Sequence, residues 1–274
     1  MNLHNLISEI EKVDPEVYDR LDGRRAAMKK ITGFTGKVAL SALPLALGSL
    51  FQKAYGQTVS PQIIEVLNFA LTLEYLESDF YIAALASPNL IPAGAALGAI
   101  ETISQHEKQH VTFLEATIKS LGAQPVMKPN FDFTARNTFI DVFTNFATFL
   151  AVSQTFEDTG VRAYKGQAGN LISSNEILRA ALRIHSVEAR HAAHIREMRN
   201  RIFSAAVQPW ITLNQSGIGP VVQASYDGEE QVVQAGIDIV NINGYNITAE
   251  DASEAFDEPL SKSQVLAIVS PFIA

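Results

Sequence analysis

His106-Glu107-Lys108-Gln109-His110 lies in the middle of a stretch in which Ile100, Ile103, Leu114, Thr117 and Leu121 recur at helical intervals. That spacing puts them on one face of a helix, the face that turns toward a core. Glu107 and His110 fall in the same stripe. The pattern returns at Glu188-Ala189-Arg190-His191, where Ile177, Ala181, Ile184, Ile195, Met198 and Ile202 form a stripe running through Glu188 and His191. Two more stripes are Ile63, Leu67, Ala70, Glu74, Glu77, Tyr81 and Ile140, Phe143, Ala147, Leu150, Gln154, Glu157, Val161, Tyr164. All four are apolar toward the ends and ionisable near the middle.

Punctuation bounds these stretches as helices. Ser60-Pro61 supplies an N-cap followed by proline at the first helical position; it opens a helix to about Ala86, stopped by Ser87-Pro88-Asn89. Pro92 opens the second helix, which Gly122 closes after Leu121. The third is expected from about Asn137 to about Lys165, near Gly166 and Gly169. Ser173, with Glu176 three residues later, forms a capping box that opens the fourth, to about Phe203. Short links make helices one and two, and helices three and four, antiparallel hairpins. Between the hairpins, residues 122–136 contain Pro125, Pro129 and Phe131-Asp132-Phe133. A segment of this length extends to roughly 50 Å, enough to travel the length of a helix. The expectation is an all-α chain whose residues 57–203 form a four-helix bundle with one long crossover between helices two and three.

Composition narrows what the central residues can do. The 274-residue chain is 47% hydrophobic and 18% charged, which supports a sizeable core. A net charge of −8 and a pI near 5.3 argue against a nucleic-acid partner, which would need a basic face. The absence of cysteine removes disulfides, thiolate nucleophiles, iron–sulfur clusters and Cys-based zinc sites, so any metal must be held by His, Asp and Glu. Unpaired glutamates in a bundle core would cost several kcal/mol each. Two divalent cations neutralise four carboxylates. One Glu on each of two helices, with Glu-x-x-His on each of the other two, is the ligand arrangement of dinuclear iron and manganese carboxylate bundles. The three-residue spacing sets Glu and His on one helical face, where both reach the same metal pair. Oxygen and imidazole ligands suit two divalent ions, Fe or Mn, with Zn less favoured. Such a pair shares the two electrons that O₂ or peroxide chemistry takes, which makes O₂ or peroxide the expected small-molecule partner.

With these motifs the chain resembles the ferritin-like superfamily, and within it the exported ferritin-like-domain proteins related to desiccation-related proteins. The resemblance is carried by Asn68-Phe69-Ala70-Leu71-Thr72-Leu73-Glu74-Tyr75-Leu76-Glu77, by His106-Glu107-Lys108-Gln109-His110 and by Phe131-Asp132-Phe133, with a weaker echo at Glu254-Ala255-Phe256-Asp257-Glu258-Pro259-Leu260. It implies that Glu107 and Glu188 bridge the metals, that Glu74 and Glu157 are terminal ligands, and that His110 and His191 each bind one metal. It favours Glu74 over Glu77 because Tyr81 stands seven residues on; Glu77 remains an alternative ligand or a close neighbour of the ligands. Tyr81, His106, Gln154, Tyr164, His185 and His194 are further candidates to support the ligands from behind. Asp158 and Glu115 read as polar-face residues. Two other readings stay open: a non-enzymatic structural or metal-sequestering stress protein, and a zinc metallopeptidase acting through His-Glu-x-x-His. The peptidase reading leaves the second Glu-x-x-His without a task.

Outside the bundle, residues 1–56 read as a targeting segment. Arg24-Arg25 precedes an apolar run from Val38 to Phe51 and the small-residue end Ala54-Tyr55-Gly56, the layout of a cleavable signal resembling a bacterial Tat type. The run is interrupted by Pro44 and is short for a membrane span. Without this segment the chain keeps 13 basic and 23 acidic residues, net −10, as an exported protein of the periplasm or cell envelope with no stable membrane span. Beyond Ser204 the helical period is lost. Residues 204–274 read as an extension packed over the bundle or as a contact in a homo-oligomer, with a short helix in the stretch from Lys262 to Ile273.

Overall fold

The computed structural model describes residues 60–274, and the expected targeting segment at 1–56 lies outside them. The fold is an all-α four-helix bundle of α1 (Pro61–Ala86), α2 (Ala95–Ser120), α3 (Phe146–Ala168) and α4 (Asn175–Phe203). Helix–helix contact lies mostly within two hairpins, α1 with α2 and α3 with α4. Among the described residues no helix is long and apolar enough to cross a membrane.

Helix ends follow local chemistry. Gly122, at φ +79, ends α2: its N–H and that of Ala123 bond back to the carbonyls of Lys119 and Ile118 at 3.0 and 3.1 Å. The start of α2 is Ala95, not Pro92, and the residue that caps α4 is Ser174, whose side chain accepts from the N–H of Ile177, not Ser173. The larger correction concerns α3, which begins at Phe146 and not near Asn137. The Asp132 carboxylate accepts from the N–H groups of Thr134 and Arg136, both at 3.0 Å, and Ala135, Arg136 and Asn137 all have positive φ. This knot of turns cannot be helical. Asn145 then starts α3, its side chain accepting from Ala147 N–H at 3.0 Å. Ile140 consequently lies 75% exposed, off the helix, and Phe143 packs from its turn on Phe80 with ring centroids 5.7 Å apart. At the far end of α4, Ile202 is exposed and leaves the stripe.

The apolar core of the bundle is divided in two. One cluster gathers Phe80, Ile100, Phe149, Leu150, Ile195 and Met198 toward one end of the bundle. The other gathers Ile63, Leu67, Leu114, Ile118, Ile177 and Ile184 toward the other. The ionisable stretch of every stripe lies between them.

Residues 204–274 form short pieces: a 3-10 turn Pro220–Ser225, a two-stranded hairpin β1 (Val233–Gln234) with β2 (Ile237–Asp238) antiparallel, then α5 (Ala249–Ser253) and α6 (Lys262–Val269). Capping boxes start α5 at Thr248/Asp251 and α6 at Ser261/Gln264. The segment lies against α3. Leu260 N–H donates to Arg162 C=O at 3.1 Å, and a Cβ on Gly166 would meet the Leu260 carbonyl at 2.0 Å, so this approach requires glycine. The chain end reaches the crossover, where Asp132 N–H donates to Phe272 C=O at 2.9 Å and Phe131 bridges to Ile273.

Candidate metal centre

Between the two apolar clusters the structure gathers Glu74 (α1), Glu107 and His110 (α2), Glu157 (α3), and Glu188 and His191 (α4), each at most 8% exposed. They fall into two sets that share both central glutamates. Glu74, Glu107, His110 and Glu188 each offer a donor atom within 4.8 Å of the others, and so do Glu107, Glu157, Glu188 and His191. His110 Nδ1 stands 3.1 Å from a carboxylate oxygen of each of Glu74, Glu107 and Glu188. His191 Nδ1 stands 2.9 Å from Glu107, 3.3 Å from Glu157 and 3.8 Å from Glu188. Close as they are, Glu107 Oε1, Glu157 Oε2, both Glu188 oxygens and His191 Nδ1 make no hydrogen bond. Buried lone pairs that converge at ion-pair distance without forming hydrogen bonds suit coordination of cations.

Other contacts orient this set. Tyr164 on α3 donates its hydroxyl to Glu74 Oε1 at 2.5 Å, and Tyr81 on α1 donates to Glu157 Oε1. His106 Nδ1 lies 2.9 Å from His191 Nε2 with the rings stacked, so His191 is held from behind while its Nδ1 faces the carboxylates. His106 belongs to neither donor set. The two histidines of His-Glu-x-x-His are thus not gathered onto one position, as a metallopeptidase zinc would need.

Electrostatics reflect crowding. Burial, then the charges of the neighbouring carboxylates, pushes Glu77 well above the usual range. Burial and Glu188 do the same to Glu107, and Glu157 rises to about 7, chiefly by burial. Burial would raise Glu188 too, but its contacts with His110 and His191 outweigh that and hold it low. Burial alone would lower both histidines; the surrounding carboxylates, led by Glu74 for His110 and Glu157 for His191, raise them instead, His191 to about 12. Without metal, protons must balance this charge.

Glu77 is buried beside the set, and a Cβ on Gly160 would lie 3.2 Å from its Oε1 and 3.6 Å from Glu188 Oε2. Three sequence candidates are not brought to the cluster. Gln154 points to the C-terminal segment, donating to Ser216 C=O at 2.9 Å and Tyr226 Oη at 3.0 Å and accepting from Arg199. His185 Nδ1 faces Val161 C=O at 3.0 Å, and His194 is exposed. Conversely, Asp158, expected on a polar face, is buried: it receives Arg196 Nη2 at 2.6 Å and the Tyr226 hydroxyl at 2.8 Å. Arg162 is also buried, bonded to Glu229 at 2.6 Å and to the carbonyls of Ser225, Asp227 and Glu258. No spacing rule flagged these, because their partners lie about 40–100 residues away in sequence.

Four helices that turn carboxylates and imidazoles into a common core define a ferritin-like bundle. The chain belongs to the ferritin-like domain family, which matches residues 62–201, just over half its length. No curated protein matches it. The buried Glu and His groups are compatible with a metal site.

Proposed function

We propose that the chain is an exported ferritin-like stress protein, of the desiccation-related type, holding two divalent metal ions. Glu107 and Glu188, shared by both donor sets, would serve both ions, Glu74 with His110 and Glu157 with His191 would each hold one, and the donor set suits iron or manganese. The observation that carries this reading is the set of five buried, convergent donor atoms without hydrogen bonds, shared between two overlapping groups of four residues. When bound, a pair of ions that can each change charge by one would supply the two electrons that O₂ or peroxide reduction takes. The chain's own residues hold that pair in a low-dielectric core, fix the carboxylates through Tyr81 and Tyr164, and exclude bulk water with an apolar cluster on either side.

Elemental analysis of the purified chain beside Glu107→Ala/His110→Ala tests the reading. About two Fe or Mn per chain, lost in a variant that still folds, is the expected result. No metal in either protein after reconstitution with Fe or Mn would overturn it. A loaded protein that leaves O₂ and peroxide unconsumed would instead point to metal sequestration without catalysis.

A further inference from the structure

On the Ile177 side of the metal centre a narrow apolar slot runs between the four helices. Leu73, Ala163, Tyr164 and Ile184 line its buried part, and half-buried Ala181 borders it toward the surface. It leaves about 20 Å³ for the centre of a water-sized molecule, room for one. Its wall gives a water little to hold. The Tyr164 hydroxyl is committed to Glu74, the Thr117 hydroxyl donates to Phe113 C=O at 2.8 Å, and Gln167 Oε1 accepts from Asn170 at 3.0 Å. A cavity of this size with so few free polar partners stays dry and favours a small apolar occupant. Three of its lining residues, Ala70, Leu114 and Ile184, stand four positions from Glu74, His110 and Glu188. The slot therefore ends about one helical turn, roughly 6 Å, from one half of the centre.

We infer that this slot is a binding site for a small apolar gas, and that its occupant is dioxygen. The inference rests on the dinuclear reading above and narrows it. Hydrogen peroxide brings donors and acceptors that this wall does not satisfy, so the slot favours O₂ over peroxide.

Xenon is the probe. Crystals of the full chain under xenon pressure, metal-free and metal-loaded, are expected to hold one xenon in the slot, and Ala181→Phe, which fills it, none. In stopped flow, the reduced, loaded Ala181→Phe protein is expected to react with O₂ about tenfold more slowly, with its oxidation by hydrogen peroxide unchanged. If that variant does not fold, Ile184→Val widens the slot and is expected to raise xenon occupancy and speed the reaction with O₂. No xenon in the wild-type slot overturns the site. Xenon in the slot with both oxidants slowed equally, or neither slowed, overturns its role for dioxygen. Xenon in the slot of a chain that takes up no Fe or Mn even after reconstitution overturns the dinuclear reading and the role for dioxygen together, and leaves the gas site standing.

Discussion

Glu74 and Tyr81 on α1 are answered, at the same seven-residue interval, by Glu157 and Tyr164 on α3, and each tyrosine donates to the other helix's glutamate. Removing one hydroxyl leaves a buried carboxylate oxygen without its donor and frees the side chain to turn. Tyr81→Phe is expected to weaken metal binding about 10–100-fold, the usual loss when a group supporting a ligand is removed. Competition with a chelator measures it; unchanged affinity would mean that Tyr81 only fills space. The correspondence between α1 and α3 breaks at one place: three residues after Glu74 stands Glu77, and three after Glu157 stands Gly160. The glycine leaves the space in which Glu77 approaches α3. In an ordinary helix interior Gly→Ala would stabilise by about 1 kcal/mol. Gly160→Ala is expected to destabilise by about 1–3 kcal/mol, the cost of overpacking, in thermal melts of the metal-free protein. A gain in stability would show that Glu77 moves aside freely.

At the scale of elements, α1, α2 and α4 were legible because each stripe keeps its period, although α2 starts three residues after Pro92, α4 is capped by Ser174 in place of Ser173, and the Ser60 side chain makes no capping bond to α1. The start of α3 was not. Ile140 and Phe143 continue its period by coincidence, while Asp132 ties the preceding residues into turns and Asn145 supplies the actual cap. Nor was its second buried face legible. Every residue from Val152 to Tyr164 is buried, because α3 packs on the bundle through one face and under the C-terminal segment through the other. Asp158 therefore reads as a surface residue by period and is a buried ion-pair partner in fact, since its cover comes from Tyr226 and from Arg196 on α4. Asp158→Asn would leave Arg196 buried beside an uncharged amide. Breaking such a pair from one side costs about 3–5 kcal/mol, to be read from denaturant unfolding. A loss within 0.5 kcal/mol, about the scatter of surface substitutions, would mean that the C-terminal segment is not anchored through this pair.

For the whole molecule, the core joins two apolar clusters through a layer of ionisable groups, and the sequence disclosed that layer because its residues interrupt otherwise apolar stripes. What the stripes could not disclose was how its charge is balanced. Above pH 4.5 the shifts of Glu77, Glu107, Glu157, His110 and His191 all have the same sign: the folded, metal-free chain binds these protons more tightly than the unfolded chain does. Stability from a raised pKa is complete below the unfolded value and is lost as pH climbs through the folded one. For Glu157 that window runs from about 4.5 to about 7, and for the histidines the loss begins near 6.5 and for His191 continues to about 12. Glu188, held low, contributes stability that is fully present above 4.5 and is lost only as pH falls below that value, so it does not reverse the trend. The metal-free protein is therefore expected to melt at progressively lower temperature from pH 5 to pH 8. Metal ions substitute for the protons, so loading should release protons, bind more tightly as pH rises, and flatten the fall in melting temperature. Calorimetric titration in two buffers of different ionisation enthalpy measures the release directly. A metal-free melting temperature that rises over the same interval would mean that the carboxylates are balanced by something other than protons, and that the layer is not poised to exchange protons for metal.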